Sequence, residues 1–533
     1  MAIFLDAAPG FQSKPLVLFG NFFKSPGSGS PFHMHTAVFS RCTIAALLLV
    51  SSISLAAAQE QPAAQLSAEK MVETEHEVVI AGQNIAYTAT AGRLTLHADD
   101  GKPRANMFFI AYTRRNQAAA ARPITFCFNG GPGSSSVWLH LGMLGPRRVR
   151  FPDDASFLKP PYKLETNPLS LLDVTDLVFI DPVSTGYSRA VPGVPASEFH
   201  GYEEDVRSVG QFIHDYTTRF MRWPSPRFLC GESYGGIRAA GLAAHLQERY
   251  NMDLNGLVIV SGAINFQTLR FSSSNDLPCI CFLPAFTATA WYHKSLAPDL
   301  QQLPLEQVVS QSRAFASGPY ASALIQGTSL PDADVERIAK EVSRLTGLSE
   351  SWVRSVRLRI SMARFGKELL RSRGRTIGRF DSRFTSRDRD DAGETYEFDA
   401  SAAALFGPFT ATFNDYVRRD LKFEEQNVYE ILTGNVQPWN YRSFENRYVD
   451  ASESLRKAMT ANPSLKVFAA CGHYDLATPP ASMDYTIDHL GLDPQTRRNI
   501  TRRDYPAGHM MYIHEPSHIQ LREDLLVFYA DAR

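Results

Sequence analysis

Arg227-Phe228-Leu229-Cys230-Gly231-Glu232-Ser233-Tyr234-Gly235-Gly236-Ile237-Arg238-Ala239-Ala240 decides how this chain is read. The residues before Gly231 are strand-like and mostly apolar, and the run from Gly236 to Leu246 is small, Ala-rich and helix-like. A strand that turns sharply into a helix lifts the hydroxyl of the residue at the bend above the sheet edge, where a nucleophile is needed. The glycines on either side fit because a Cβ would collide inside so tight a turn. Ser233 is therefore the candidate nucleophile.

The pattern on both sides of this turn predicts an α/β fold. Pro123–Phe128, Asp176–Ile180, Leu257–Val260 and Lys466–Cys471 are short apolar runs of the kind buried on both faces of a parallel sheet. Between them Val206, Val209, Phe212, Ile213, Tyr216 and Phe220 recur at helical spacing, and Trp223-Pro224 ends that run. Strands alternating with helices predict a doubly wound, mostly parallel sheet. From Glu77 to Arg115 the pattern is β-like, and an amphipathic helix is expected near Pro516–Ala530. The alternation lapses between about 265 and 440. The expected organisation is a catalytic core of 76–264 and 441–533, interrupted by a mainly helical cap of 265–440. Residues 59–75 read as a flexible leader. The cap's arginines, among them Arg354, Arg359, Arg364, Arg371 and Arg383, have acids nearby and read as an ion-paired surface rather than an anion-binding patch.

With 533 residues, 44% of them hydrophobic, the chain can bury a large core. A formal net charge of −1 gives no global attraction to nucleic acid or an anionic membrane. Met34 to Arg41 is a short basic lead-in to the apolar run Cys42–Leu55, and Ala56-Ala57-Ala58 offers a cleavage site. That order reads as a secretory signal, with Met34 as the expected start of translation and residues 1–58 as the signal region. The expected location is periplasmic or extracellular, with no membrane association after cleavage. Of the 6 cysteines, Cys42 lies in the signal. Cys127, Cys230, Cys279, Cys281 and Cys471 remain, an odd set that requires a free thiol; Cys279 and Cys281 are the two open to a disulfide. No Cys or His cluster suggests a metal, and no cofactor is expected.

A serine hydroxyl needs a base to take its proton and an acid to orient that base. In elbow-type hydrolases the order is Ser, then Asp or Glu, then His. Asp475 follows the strand 466–471 and falls on the same rim as the elbow; Asp484, Asp488 and Asp493 come later, in helix or turn context. His509 lies in a loop before the final helix, with His473, His514 and His518 as rivals. The glycine-rich loop Asn129-Gly130-Gly131-Pro132-Gly133-Ser134-Ser135-Ser136 can aim backbone N–H groups at an oxyanion, together with the N–H of Tyr234. A phosphate-cradling role is disfavoured because no Lys follows.

These stretches resemble the serine carboxypeptidase family. Asn129–Ser136 is similar to its N-G-G-P-G-C-S-S, and Gly231–Gly236 matches its G-E-S-Y-G-G. Asp181–Ser188 resembles its D-x-P-x-G-T-G-F-S loop, and Ala507–Met510 matches its A-G-H-M. The resemblance runs from about Phe108 to the C-terminus and is weakest in the cap. It implies an α/β-hydrolase fold with a cap insertion, the triad Ser233, Asp475 and His509, and an oxyanion hole of Gly131 and Tyr234. It also implies that Asn129, Gly130 and Glu232 bind the C-terminal carboxylate of a peptide, which requires a shared proton and so acidic conditions. Three departures stand out: Cys127 for a Trp, Ser134 for a Cys, and Met143 for a second acid. Without that acid, Glu232 is expected to ionise more readily, weakening carboxylate capture as pH rises. The function so implied is an exported serine carboxypeptidase acting on peptides with a free C-terminus. The alternatives are an acyltransferase or esterase using the same acyl-enzyme, or a non-catalytic binding protein on a hydrolase scaffold.

Overall fold

The computed structural model describes residues 69–118 and 122–533; the signal region and most of the leader lie outside them. Strands β1 (Met71–Ile80), β2 (Gln83–His97), β3 (Pro103–Arg114), β4 (Ile124–Phe128), β5 (Asp176–Ile180), β6 (Arg227–Glu232), β7 (Gly256–Val260), β8 (Lys466–Gly472) and β9 (Ile500–Tyr505) build the central sheet. They hydrogen-bond in the order β1-β2-β3-β5-β4-β6-β7-β8-β9, with the two-residue strand Arg189–Ala190 off the path beside β3. The first three strands and the β3–β5 pair are antiparallel. From β5 across to β9 every pair is parallel.

The central strands are apolar on both faces because both faces are covered. Phe228, Cys230, Val258, Val260, Phe468 and Ala470 point to one side, against the C-terminal helix residues Leu525, Phe528 and Tyr529. Their alternates Leu229, Leu257, Ile259, Val467 and Ala469 point to the other. There they meet Phe212 and Ile213 of helix α1 (Tyr202–Arg219) and Ile237, Leu242 and Leu246 of helix α2 (Gly235–Tyr250). Each of the Val, Leu, Ile and Phe side chains among them contributes roughly 1.5–3 kcal/mol by burial.

Between β7 and β8 the chain forms α3 (Leu277–Tyr292), α4 (Leu305–Phe315), α5 (Asp332–Thr346) and α6 (Ala400–Arg419), with shorter helical turns between. Helix α3 is apolar nearly all round and nucleates a separate cluster, in which Phe286 stacks on Phe365 at 4.1 Å. The arginines of this region are largely paired: Arg354 with Glu336, Arg359 with Asp276, Arg364 with Glu394, Arg371 with Glu368 and Arg383 with Asp381. A last helix, α7 (Glu515–Asp531), closes the fold.

All five cysteines among the described residues are free and buried. Cys279 and Cys281, open to a bridge on sequence grounds, are thiols inside α3 that burial pushes up to about 12. Among the described residues no helix is long and apolar enough to cross a membrane.

Candidate active site

Ser233 sits at the turn between β6 and α2 with φ 61°, a left-handed conformation that costs a non-glycine residue roughly 1–2 kcal/mol. Three backbone hydrogen bonds hold it there: Ser233 N–H to the Val260 carbonyl at 3.0 Å, and the Ser233 carbonyl accepting from Gly236 at 2.8 Å and Ala263 at 2.9 Å. A Cβ on Gly231 would strike the Gly235 carbonyl, so the turn admits only glycine there.

Asp475 lies just beyond β8 and His509 in the loop between β9 and α7. Because β6, β7, β8 and β9 are parallel neighbours, their C-terminal ends share one rim. His509 Nδ1–H donates to Asp475 Oδ2 at 2.7 Å, and both side chains are buried. The other carboxylate oxygen accepts from the Ala477 N–H at 2.7 Å and the Thr478 N–H at 3.0 Å. Burial opposes the imidazolium, but the charge and hydrogen bond of Asp475, with Glu232 beyond, outweigh it and hold His509 above its ordinary range. Among the described residues no hydrogen bond joins the Ser233 hydroxyl to the imidazole. In unliganded sites such contacts are commonly long and tighten with substrate bound.

The Asn129–Ser136 loop leaves the end of β4 and lies against the elbow: a Cβ on Gly130 would meet the Tyr234 amide nitrogen. Gly131 has φ 104°, which only glycine adopts freely. Among the described residues neither the Gly131 nor the Tyr234 N–H donates a hydrogen bond within the protein. The loop is braced by Asp181, whose carboxylate accepts from the Ser136 N–H at 2.9 Å.

Glu232 is buried beside this loop, and Tyr512 donates its hydroxyl to Glu232 Oε2 at 2.7 Å. Burial raises the carboxyl to about 7, opposed by His509 and the Tyr512 bond. Sequence reasoning expects Glu232 to ionise more readily for want of an acid at position 143; burial nevertheless holds its proton on to about 7. Met143 itself is core, its carbonyl taking bonds from Asn167 and His518. Asn129 Oδ1 accepts from the Leu139 N–H at 3.1 Å. Among the described residues its buried Nδ2 makes no hydrogen bond of normal geometry, and a weak contact with the Glu232 carboxyl favours the charged form.

The rival residues are engaged elsewhere. Asp484 pairs with Arg313 and Arg502, Asp488 with Arg497, and Asp493 caps the turn at Pro494. His514 bonds Ser517, His518 bonds the Met143 carbonyl, and burial lowers His473, which faces Asp504 and Arg313.

Sequence reasoning missed three contributors. The Thr478 hydroxyl lies 2.7 Å from Asp475 Oδ2, 2.8 Å from the Ser261 carbonyl and 3.1 Å from His509 Nδ1. Tyr512 is the second; its place three residues after His509 was the available signal. The third is the segment 379–382, from the region read as a cap. Its Phe380 carbonyl accepts from the His509 N–H at 2.6 Å, its Arg379 carbonyl from Leu476 at 3.0 Å, and its Ser382 N–H donates to Tyr474 at 3.0 Å. The Phe380 ring lies 5.3 Å from the imidazole, centroid to centroid. Among the described residues no group of three or more His, Cys, Asp or Glu side chains could hold a metal ion.

A mostly parallel sheet wound with helices on both faces, carrying a serine on a strained strand-to-helix turn beside an acid–imidazole pair, defines an α/β-hydrolase fold. The serine carboxypeptidase family model matches residues 82–515, and the chain belongs to that family. It is similar to the pheromone-processing carboxypeptidase kex1 of Neosartorya fischeri, 30% identical over 239 residues, 42% of this chain and 34% of that protein. It is also similar to the carboxypeptidase Y homolog A of Talaromyces stipitatus, 28% identical over 170 residues, 31% of this chain and 28% of that one. The match to the kex1 protein thus spans about a third of its length, 34%. Among solved structures, Kex1(delta)p, a prohormone-processing carboxypeptidase from Saccharomyces cerevisiae, shares the fold with TM-score 0.53 and 18% identity, covering 84% of this chain and 92% of that one.

Proposed function

We propose that this protein is an exported serine carboxypeptidase that releases C-terminal residues from peptides through an acyl-enzyme. Ser233 attacks the scissile carbonyl while His509 takes its proton, and Asp475 holds the imidazole in the tautomer that presents a free Nε2. The unpaired Gly131 and Tyr234 N–H groups receive the oxyanion. His509 then returns the proton to the leaving amine, and water repeats the cycle on the ester. Export rests on the signal-like sequence before residue 59.

The single observation that carries the exopeptidase reading is the pair Asn129 and Glu232. A buried amide nitrogen without a hydrogen bond of normal geometry is costly to leave so. It lies beside a carboxyl that burial holds at about 7, one residue before the nucleophile. A protonated carboxyl can donate to a substrate carboxylate where an ionised one repels it. Binding of a free C-terminus therefore weakens as pH rises through about 7, which favours acidic to neutral conditions.

The test is a set of matched substrates with a free C-terminus, a C-terminal amide and an ester, digested from pH 4 to 8 with products identified by mass. Stepwise loss of single C-terminal residues, with the free acid preferred at low pH, is expected. Equal cleavage of acid and amide at every pH, or transfer of the acyl group to an added alcohol in place of hydrolysis, would overturn the assignment.

A further inference from the structure

The geometry assigns Tyr512 as the residue that decides which oxygen of Glu232 carries the proton offered to the substrate. This inference rests on the reading of Asn129 and Glu232 as the carboxylate site. The phenol donates to Oε2 at 2.7 Å, both groups are buried, and the Tyr512 ring is wedged against Gly142, where a Cβ would overlap it. In a neutral carboxyl, one oxygen is a carbonyl that only accepts and the other a hydroxyl that donates. An oxygen already accepting from a phenol is the better carbonyl. Tyr512 thereby leaves Oε1 as the hydroxyl, free to donate to an incoming carboxylate.

Tyr512 can play only the donor here, because burial and the neighbouring Glu232 keep its own proton on far above the usual phenol range. The groups facing Glu232 are His509 and Tyr512 from the loop before α7, Asp475 from the loop after β8, and Asn129 from the loop after β4. Cys230, on Glu232's own strand, faces the phenol. The same hydrogen bond has a second effect. Once Glu232 ionises, the phenol stabilises the carboxylate, so the contact that orients the proton also lowers the pH at which it is lost.

These two effects have opposite consequences, and the variant Tyr512→Phe separates them. The measured quantity is the free-acid over amide preference in kcat/KM against pH, for wild type, Y512F, E232Q and the double variant. In Y512F the preference at low pH is expected to fall several-fold through KM. Its decline with pH should move upward by roughly one pH unit, since a hydrogen bond to a charged group is lost. In E232Q the preference should be independent of pH, and adding Y512F should not restore a titration. A merely structural tyrosine would raise KM without moving the titration. A Y512F decline coincident with wild type would overturn the assignment of Tyr512. A wild type with no free-acid preference at any pH would instead overturn the carboxylate-site reading beneath it. If Y512F does not melt cooperatively, site-specific 3-fluorotyrosine at 512, a stronger donor of the same shape, should move the decline downward, and no movement would count against the proposal.

Discussion

Replacing Asp475 with Asn tests the acid–imidazole pair at its centre. Each neighbour of this carboxylate donates to it: His509 Nδ1–H at 2.7 Å, the N–H groups of Ala477 and Thr478 at 2.7 and 3.0 Å, and the Thr478 hydroxyl at 2.7 Å. An asparagine carboxamide can keep its oxygen on the two backbone amides, which fixes its NH2 group toward His509 Nδ1. Two donors cannot face each other, so the imidazole must move its proton to Nε2. That nitrogen then has no lone pair with which to take the Ser233 proton. The imidazolium formed in the transition state also loses its buried counter-charge. A wrong-tautomer substitution of this kind costs about 10⁴-fold in kcat, or about 5.5 kcal/mol of barrier. Turnover of a free-acid peptide at saturating substrate, with active sites counted by a serine-directed phosphonate, measures it. The variant replaces one polar group by another of equal size, so folding is expected to persist. A loss of less than tenfold in correctly melting protein would refute the role given to Asp475.

Three further outcomes follow from the geometry. Gly130→Ala drives a Cβ into the Tyr234 amide, so kcat should fall about 10²- to 10³-fold through loss of an oxyanion donor, and a change under threefold would sink the two-donor arrangement. Thr478→Val removes the hydroxyl shared between Asp475 and His509 and should lower kcat by about tenfold with little change in KM, checked by steady-state kinetics. Burial lowers His140 and His518 to about 3 in the folded protein, so the unfolded chain binds more protons than the native one between about 6.5 and that value. These two histidines therefore withdraw stability as pH falls below 6.5, while Glu232 and Asp181, held at about 7 by burial, act in the opposite sense. His518→Gln should gain stability relative to wild type on going from pH 7 to 4.5 in urea unfolding, and an identical pH dependence in the two proteins would contradict the sign.

Much of the fold was legible because the central strands are short, apolar runs flanked by turn residues. Ile124–Phe128 and Asp176–Ile180 are strands where the sequence reads them. The first three strands were legible only as one β-like stretch from Glu77, whereas the first begins at Met71, its outer half alternating in burial and carrying charge. The juxtaposition of Asp475 and His509 could be anticipated because strand order places their loops on one rim. Glu232 could not be judged in the same way. The missing acid at 143 gives only the direction of one effect, whereas burial, a property of the folded chain, dominates. Thr478 escaped notice because a hydroxyl carries no sequence mark of its partner, and Tyr512 because its closeness to His509 in the chain does not name Glu232. The segment 379–382 escaped notice because it bonds residues about a hundred positions onward, in a part of the chain where the strand–helix alternation lapses.

That short segment ties the fate of the helical region to the chemistry. The peptide carrying the imidazole is moored to Phe380, and the loop bearing the acid to Arg379 and Ser382, so neither is anchored by the sheet alone. Exchanging the helices for those of another hydrolase, in order to alter what the enzyme accepts, would cut both moorings at once. A graft would have to spare 378–384 to keep them, and 431–439 as well, where Ile431 and Thr433 bond the glycine-rich loop and Trp439 bonds the Tyr234 hydroxyl.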